Sequence, residues 1–164
     1  MKRFRLPVVI AGGSVLLLAI GIFLTIDRSQ SQVLSANSDA KAITPITNYD
    51  WGQINMNDGK VEARFPIKND GSTPLVLSEA QTSCMCTTAT LSFQGKTSPP
   101  IGMHAKSAYT LQVPPGQEAE LSVVFDPAFH GPSGVGQIDR QVTMRTNDPA
   151  KPELTFILKA VVTR

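Results

Sequence analysis

Hydrophobic and polar residues alternate with a period of two along most of the chain. Val61, Ala63, Phe65 and Ile67 alternate with Glu62, Arg64 and Lys68, and Leu121, Val123 and Phe125 with Glu120 and Ser122. Val142 and Met144 alternate with Thr143 and Arg145, and Leu154, Phe156, Leu158, Ala160 and Val162 with Thr155, Lys159 and Thr163. Successive side chains of a strand point to opposite faces, so each run predicts a strand with one buried and one wet face. Seven main strands are predicted at about 49–55, 61–68, 74–82, 86–93, 118–126, 138–147 and 153–163, with an extra ribbon within 99–113. The breaks between runs carry turn chemistry. Asn57-Asp58-Gly59 and Asn69-Asp70-Gly71 supply residues that tolerate positive φ, while Pro114-Pro115-Gly116, Asp126-Pro127 and Asn147-Asp148-Pro149 interrupt the chain. Short strands with turn signals at this spacing predict an all-β fold, a single immunoglobulin-like antiparallel β-sandwich over 49–164. The lone Trp51 is expected to anchor the core or an edge.

One stretch has no polar positions to alternate with. Leu6 to Ile26 is free of charge for 21 residues, which as a helix spans about 31 Å, the thickness of a bilayer's hydrocarbon core. Lys2, Arg3 and Arg5 precede it, and the positive-inside rule keeps that end in the cytoplasm. The expectation is a basic N-terminus at 1–5, a transmembrane anchor at 6–26 and a flexible, polar stalk at 27–48. A cleaved signal peptide would have a shorter apolar region and a small-residue cleavage site close behind it. Here Asp27 and Arg28 follow directly, and the nearest suitable cut, after Ala36, lies well beyond the apolar end. No lipobox cysteine is present for a lipoprotein anchor.

Charge narrows the partners. The formal net charge is +2, but Lys2, Arg3 and Arg5 precede the apolar stretch and all 13 acidic residues follow it, which leaves the rest at −1. No basic stripe exists to track a phosphate backbone, so nucleic-acid binding has no electrostatic support. The expected partners are the lipid bilayer, through the N-terminal helix, and an envelope protein or surface polymer. The chain has no G-x-S-x-G elbow, phosphate-binding loop or H-E-x-x-H motif, and an enzyme is not expected.

Several motifs follow one another in a recognisable order: Asp50-Trp51-Gly52; Phe65-x-Ile67-x-Asn69-x-Gly71-x-x-Pro74-Leu75; Thr82-Ser83-Cys84-Met85-Cys86-Thr87; Pro115-Gly116 leading to Val123-Val124-Phe125-Asp126; and Thr146-Asn147-Asp148-Pro149-x-x-Pro152. Over roughly 50–162 the chain resembles the bacterial family called domain of unknown function 1573, whose hallmark is Cys-Gly-Cys-Thr. That family is similar in architecture to immunoglobulin-like domains of the Hydin and major-sperm-protein types. The resemblance implies a sandwich, export and a bacterial source, and by fold analogy a binding or scaffolding role. Two positions depart from the pattern. Met85 stands where the family usually has Gly, which would accept a backbone conformation that Met resists. Gly95 to Ser107 is longer than the usual connection.

Cys84 and Cys86 carry the clearest chemical signal. In an extended strand their Cα atoms would lie about 6.5–7 Å apart. A disulfide wants about 5.5 Å, so bridging them requires a kinked backbone. In an oxidising compartment a local disulfide is natural. The alternatives are two free thiols acting as small core residues, or a soft-metal site for copper formed by Cys84, Cys86, Met85, Met103 and His104. His130, the only other histidine, lies beside Gly131 and Pro132 and reads as a turn residue. Two functions compete: a membrane-anchored binding or scaffolding module without a cofactor, and an envelope copper-binding or thiol-redox protein using Cys84 and Cys86.

Overall fold

The computed structural model describes residues 39–164. The strands are β1 (Ala42–Ile43), β2 (Asn48–Asn55), β3 (Val61–Asn69), β4 (Leu75–Thr82), β5 (Thr87–Phe93), β6 (Lys96–Thr97), β7 (Leu111–Val113), β8 (Glu118–Phe125), β9 (Gly136–Thr146) and β10 (Glu153–Thr163). They form two five-stranded sheets, ordered β1-β3-β8-β5-β6 and β2-β10-β9-β4-β7. The alternating positions do what the period-two pattern demands: Ala63, Phe65 and Ile67 of β3, Leu121 and Val123 of β8, and Phe156 and Leu158 of β10 are all buried. Phe65 and Phe156 join the two sheets through rings 5.0 Å apart. Each such fully buried large side chain contributes about 1.5–3 kcal/mol of hydrophobic stabilisation.

The sandwich is mixed rather than wholly antiparallel, because β2 runs parallel to β10. Alternation marks a strand but carries no direction. A parallel pair needs a long crossover, and here nearly the whole domain separates the partners. The expected ribbon within 99–113 reduces to β7 and a single bridge between Ile101 and Ala89. The stretch 27–48, read as stalk, joins the sandwich at its C-terminal end. Ala40 and Ala42 are buried, and β1 pairs with the end of β3. Two strand residues are too few to show a period, which is why the sequence hides them. Leu6–Ile26 lies outside the described residues, and among the described residues no helix is long and apolar enough to cross a membrane.

The turn motifs at the β1 end form a buried polar clamp. Asn69 is fully buried; its amide nitrogen donates to the carbonyls of Thr73 and Val113, both at 2.8 Å, and its amide oxygen accepts from Gly71 N–H at 2.9 Å. Gly71 is there for close approach, not for positive φ as its Asn-Asp-Gly setting suggests: a Cβ would meet the Asp39 carbonyl oxygen at 2.1 Å. Asp148, also buried, accepts from Ala42 N–H and Ala150 N–H, each at 2.8 Å. Lys151 Nζ donates to the Ala42 carbonyl at 2.8 Å, so both backbone groups of Ala42 are held from the β9–β10 connection. Asn147 accepts from Val76 N–H and donates to the Pro74 carbonyl, fixing the start of β4.

Asp50-Trp51-Gly52 closes one side of the sandwich. Trp51 Nε1 donates to the Glu62 carbonyl on the opposite sheet at 3.2 Å, and its ring stacks on Phe125 at 5.9 Å. Asp50 accepts from Gly52 N–H at 2.8 Å while Gly52 adopts a φ of 67°, a backbone only Gly takes readily. The lone Trp51 is thus an anchor between sheets.

Candidate functional site: the Cys84–Cys86 corner

β4 belongs to one sheet and β5 to the other, so the short link between them crosses the end of the sandwich. Ser83 prolongs the pairing of β4 with β9, its N–H donating to the Gln141 carbonyl at 2.9 Å and its hydroxyl accepting from Gln141 N–H at 2.8 Å. The chain then reverses. Thr87 N–H donates to the Cys84 carbonyl at 3.1 Å, the bond that closes a four-residue turn. The buried Thr82 hydroxyl lies within hydrogen-bond reach of the carbonyls of Cys84 at 3.2 Å and Thr87 at 3.1 Å. This turn supplies the kink that an extended strand lacks: the cysteine Cα atoms are 5.2 Å apart and the sulfurs form a disulfide. Met85 occupies the turn outside the positive-φ region, so the replacement of the family's Gly strains nothing in the backbone.

The two sulfurs have different surroundings. Cys86 is 3% exposed, whereas Cys84 is only partly buried. Arg140 Nε, from β9, donates to Cys86 Sγ at 3.1 Å. The guanidinium is held in place by the Phe125 ring, 5.8 Å below it, and by an Nη1 bond to the Asp139 carbonyl at 2.9 Å. His130 Nε2 lies 3.6 Å from Cys84 Sγ. His130 precedes a 3-10 turn, Gly131–Gly134, and its carbonyl accepts from the Ser133 hydroxyl at 2.7 Å. Its ring meets Phe129 edge-on at 5.1 Å.

Of the residues expected in a soft-metal set, the fold brings together Cys84 and Cys86 and adds His130, with ligand atoms all within 4.8 Å of one another. His104 is not in that group among the described residues. Met85 and Met103 are exposed, and the Met103 carbonyl accepts from Gln81 Nε2 at 2.7 Å beside an open cleft of about 320 Å³. With the sulfurs bonded to each other, the pair offers no thiolate, and a soft metal would need the bridge reduced first. Sequence reasoning assigned His130 to a turn and passed over Arg140 as an ordinary strand residue. Both approach the cysteines from more than forty positions away, at separations of 46 and 54 residues, and nothing local announces them.

As a staple the bridge is weak. In the chain-entropy account, closing a three-residue loop stabilises by only about 1.6 kcal/mol, against about 3 for a fifteen-residue loop. The interest of the corner lies in its chemistry.

The family described as "Protein of unknown function (DUF1573)" matches residues 44–101, which include the Asp-Trp-Gly, Asn-x-Gly and Cys-x-Cys-Thr motifs. Over that segment the chain is similar to DUF1573 sequences. The later motifs, from Pro115 onward, lie outside the match. No curated protein matches the chain. Among solved structures, a protein of unknown function from Porphyromonas gingivalis W83 is similar with a TM-score of 0.59 and 23% identity, covering 80% of this chain and 51% of that one. This chain therefore spans about half the length of that protein. The ASH/PapD-like domain of human CEP192 is similar with a TM-score of 0.46 and 10% identity, covering 85% of this chain and 94% of that one. The YadV chaperone is similar with a TM-score of 0.45 and 10% identity, covering 77% and 53%. At these identities the likeness is one of fold.

Proposed function

We propose that this protein is a binding or scaffolding module of the bacterial envelope, held to the cytoplasmic membrane by Leu6–Ile26 with its sandwich outside. The docking element in this reading is β2, and its occupant is an extended segment of an envelope protein added as an extra strand. The supporting observation is the length of that edge. β2 has eight residues and ends its sheet, whereas the other sheet edges are strands of two or three residues: β1, β6 and β7. An edge strand presents unpaired N–H and C=O groups to any chain that can align with it. Where β10 slips register between Lys159 and Val161, an open cleft of about 420 Å³ lies beside β2, lined in part by Gln53, Gln137, Asp139 and Lys159. The kink at Gly52 interrupts the edge and limits unending strand addition, as bulges do on natural sheet edges.

The test is site-directed photocrosslinking in intact cells, with the probe at Asn48 or Gln53 on β2 and at Thr88 on β5 as control. The β2 probes are expected to capture the same partner repeatedly, in the membrane fraction. No repeatable adduct, or the same adducts from Thr88, contradicts the reading.

A further inference from the structure

We infer that the Cys84–Cys86 disulfide is a thiol–disulfide exchange site that accepts electrons from a dithiol, with attack at Cys84 and departure of Cys86 as the thiolate. This inference is independent of the β2 reading and rests on the asymmetry of the corner. An attacking thiolate must approach a sulfur along the disulfide axis, and only Cys84 has exposed surface for it, Cys86 being 3% exposed. The sulfur that leaves must carry negative charge, and a leaving thiol of lower pKa leaves faster. Cys86 has the group for this: the Arg140 Nε–H already points at its sulfur from 3.1 Å, and a guanidinium beside a thiol favours the thiolate. The Phe125 ring and the Asp139 carbonyl fix that guanidinium, so it need not reorganise as charge develops. On the other side, His130 Nε2 at 3.6 Å from Cys84 Sγ is placed to hand a proton to Cys84 in the second step. Exposed Met85 and Phe129 flank the two segments that carry Cys84 and His130, and give a dithiol protein apolar surface to rest on.

A thiolate of the dithiol attacks Cys84 Sγ; a new sulfur–sulfur bond forms there, the Cys84–Cys86 bond breaks, and Cys86 departs with the electron pair. The second thiol of the dithiol then gives up its proton and attacks its own partner sulfur in the mixed disulfide, releasing Cys84, which takes up a proton. The dithiol is oxidised to a disulfide by two electrons, and the Cys84–Cys86 pair is reduced by two.

The experiment uses the 164-residue chain and dithiothreitol as the dithiol. Opening of the bridge is followed by acid quench, alkylation and mass spectrometry in the wild type, Arg140→Met and Arg140→Lys. Arg140→Met is expected to slow opening about fivefold or more, and Arg140→Lys, which keeps a cation, to restore most of the rate. The point of attack is read from the reverse reaction: Cys86→Ser and Cys84→Ser each leave one thiol, and glutathione disulfide should modify Cys84 about tenfold faster than Cys86. Opening of folded Arg140→Met at the wild-type rate, or equal modification of the two single thiols, overturns the inference. If Arg140→Met does not fold, the Lys variant and the single-thiol comparison still decide it.

Discussion

At the Leu75 end of β4, Asn69 and Asp148 are buried, Asn147 is half-buried, and all three are hydrogen-bonded. They bind backbone groups of their own turns, of the start of β4 and of the segment 39–42, and Gly71 lets two backbones touch. At the Thr82 end, about 23 Å away along the strand, a disulfide closes a loop of three, with a half-buried sulfur, a cation and an imidazole around it. Both ends carry motifs of the family, yet only the first has the signature of a device that stabilises the fold. A buried polar group left without its partner costs 1–3 kcal/mol, so a fully paired buried network is expensive to break. A disulfide over so short a loop stabilises little, and its neighbours are groups that alter the reactivity of sulfur.

The largest losses are expected in the clamp. Asn69→Ala removes the side chain that serves Val113, Thr73 and Gly71, and is expected to cost about 3 kcal/mol or more in urea unfolding. Gly71→Ala should be at least as harmful, because the obstructing atoms are backbone. A loss below about 1 kcal/mol in both would show that the clamp holds nothing. Asp148→Asn keeps the shape but replaces one of two accepting oxygens with a donor, and about 1–2 kcal/mol of destabilisation is expected by the same assay. Trp51→Phe keeps most of the ring stack on Phe125 and loses the bond to Glu62, for about 1 kcal/mol.

The smallest expected effect is electrostatic. Ser122 and then Arg64 hold the Glu62 carboxyl below its ordinary value, Lys41 does so for Asp70, and Lys106 for Glu79. A carboxylate whose folded pKa is lowered adds stability that is complete above the unfolded pKa and is lost as pH falls through the folded one. Stability should therefore decline as pH falls below the ordinary carboxylate range, about 4, and added salt should flatten that decline because all three groups face solvent. Replacing all three with Asn and Gln should weaken the pH dependence in a denaturation series; an unchanged slope contradicts these assignments.

Much of the sandwich was legible because burial on one face writes itself as alternation. The ranges of β3, β8 and β10 follow Phe65, Leu121 and Phe156 almost to the residue. What stayed hidden has physical reasons. β1 is too short for a period, and β2 gives no hint of its parallel direction because alternation is the same in both. Asp148 read correctly as a turn residue, while Asn69, expected in a turn, ends β3; both are buried and bonded to the segment 39–42, which composition assigned to a stalk. The cysteines declared themselves, while Arg140 and His130 reached them through strand pairing and a distant turn.

The contrast between the two ends is tested most directly by urea unfolding of the oxidised chain against the same chain held reduced by dithiothreitol. If the clamp holds the fold and the cysteine corner serves chemistry, both forms unfold cooperatively and differ by about 1.5 kcal/mol or less. Unfolding on reduction, or a loss of about 3 kcal/mol or more, would make the bridge a structural staple and contradict the account.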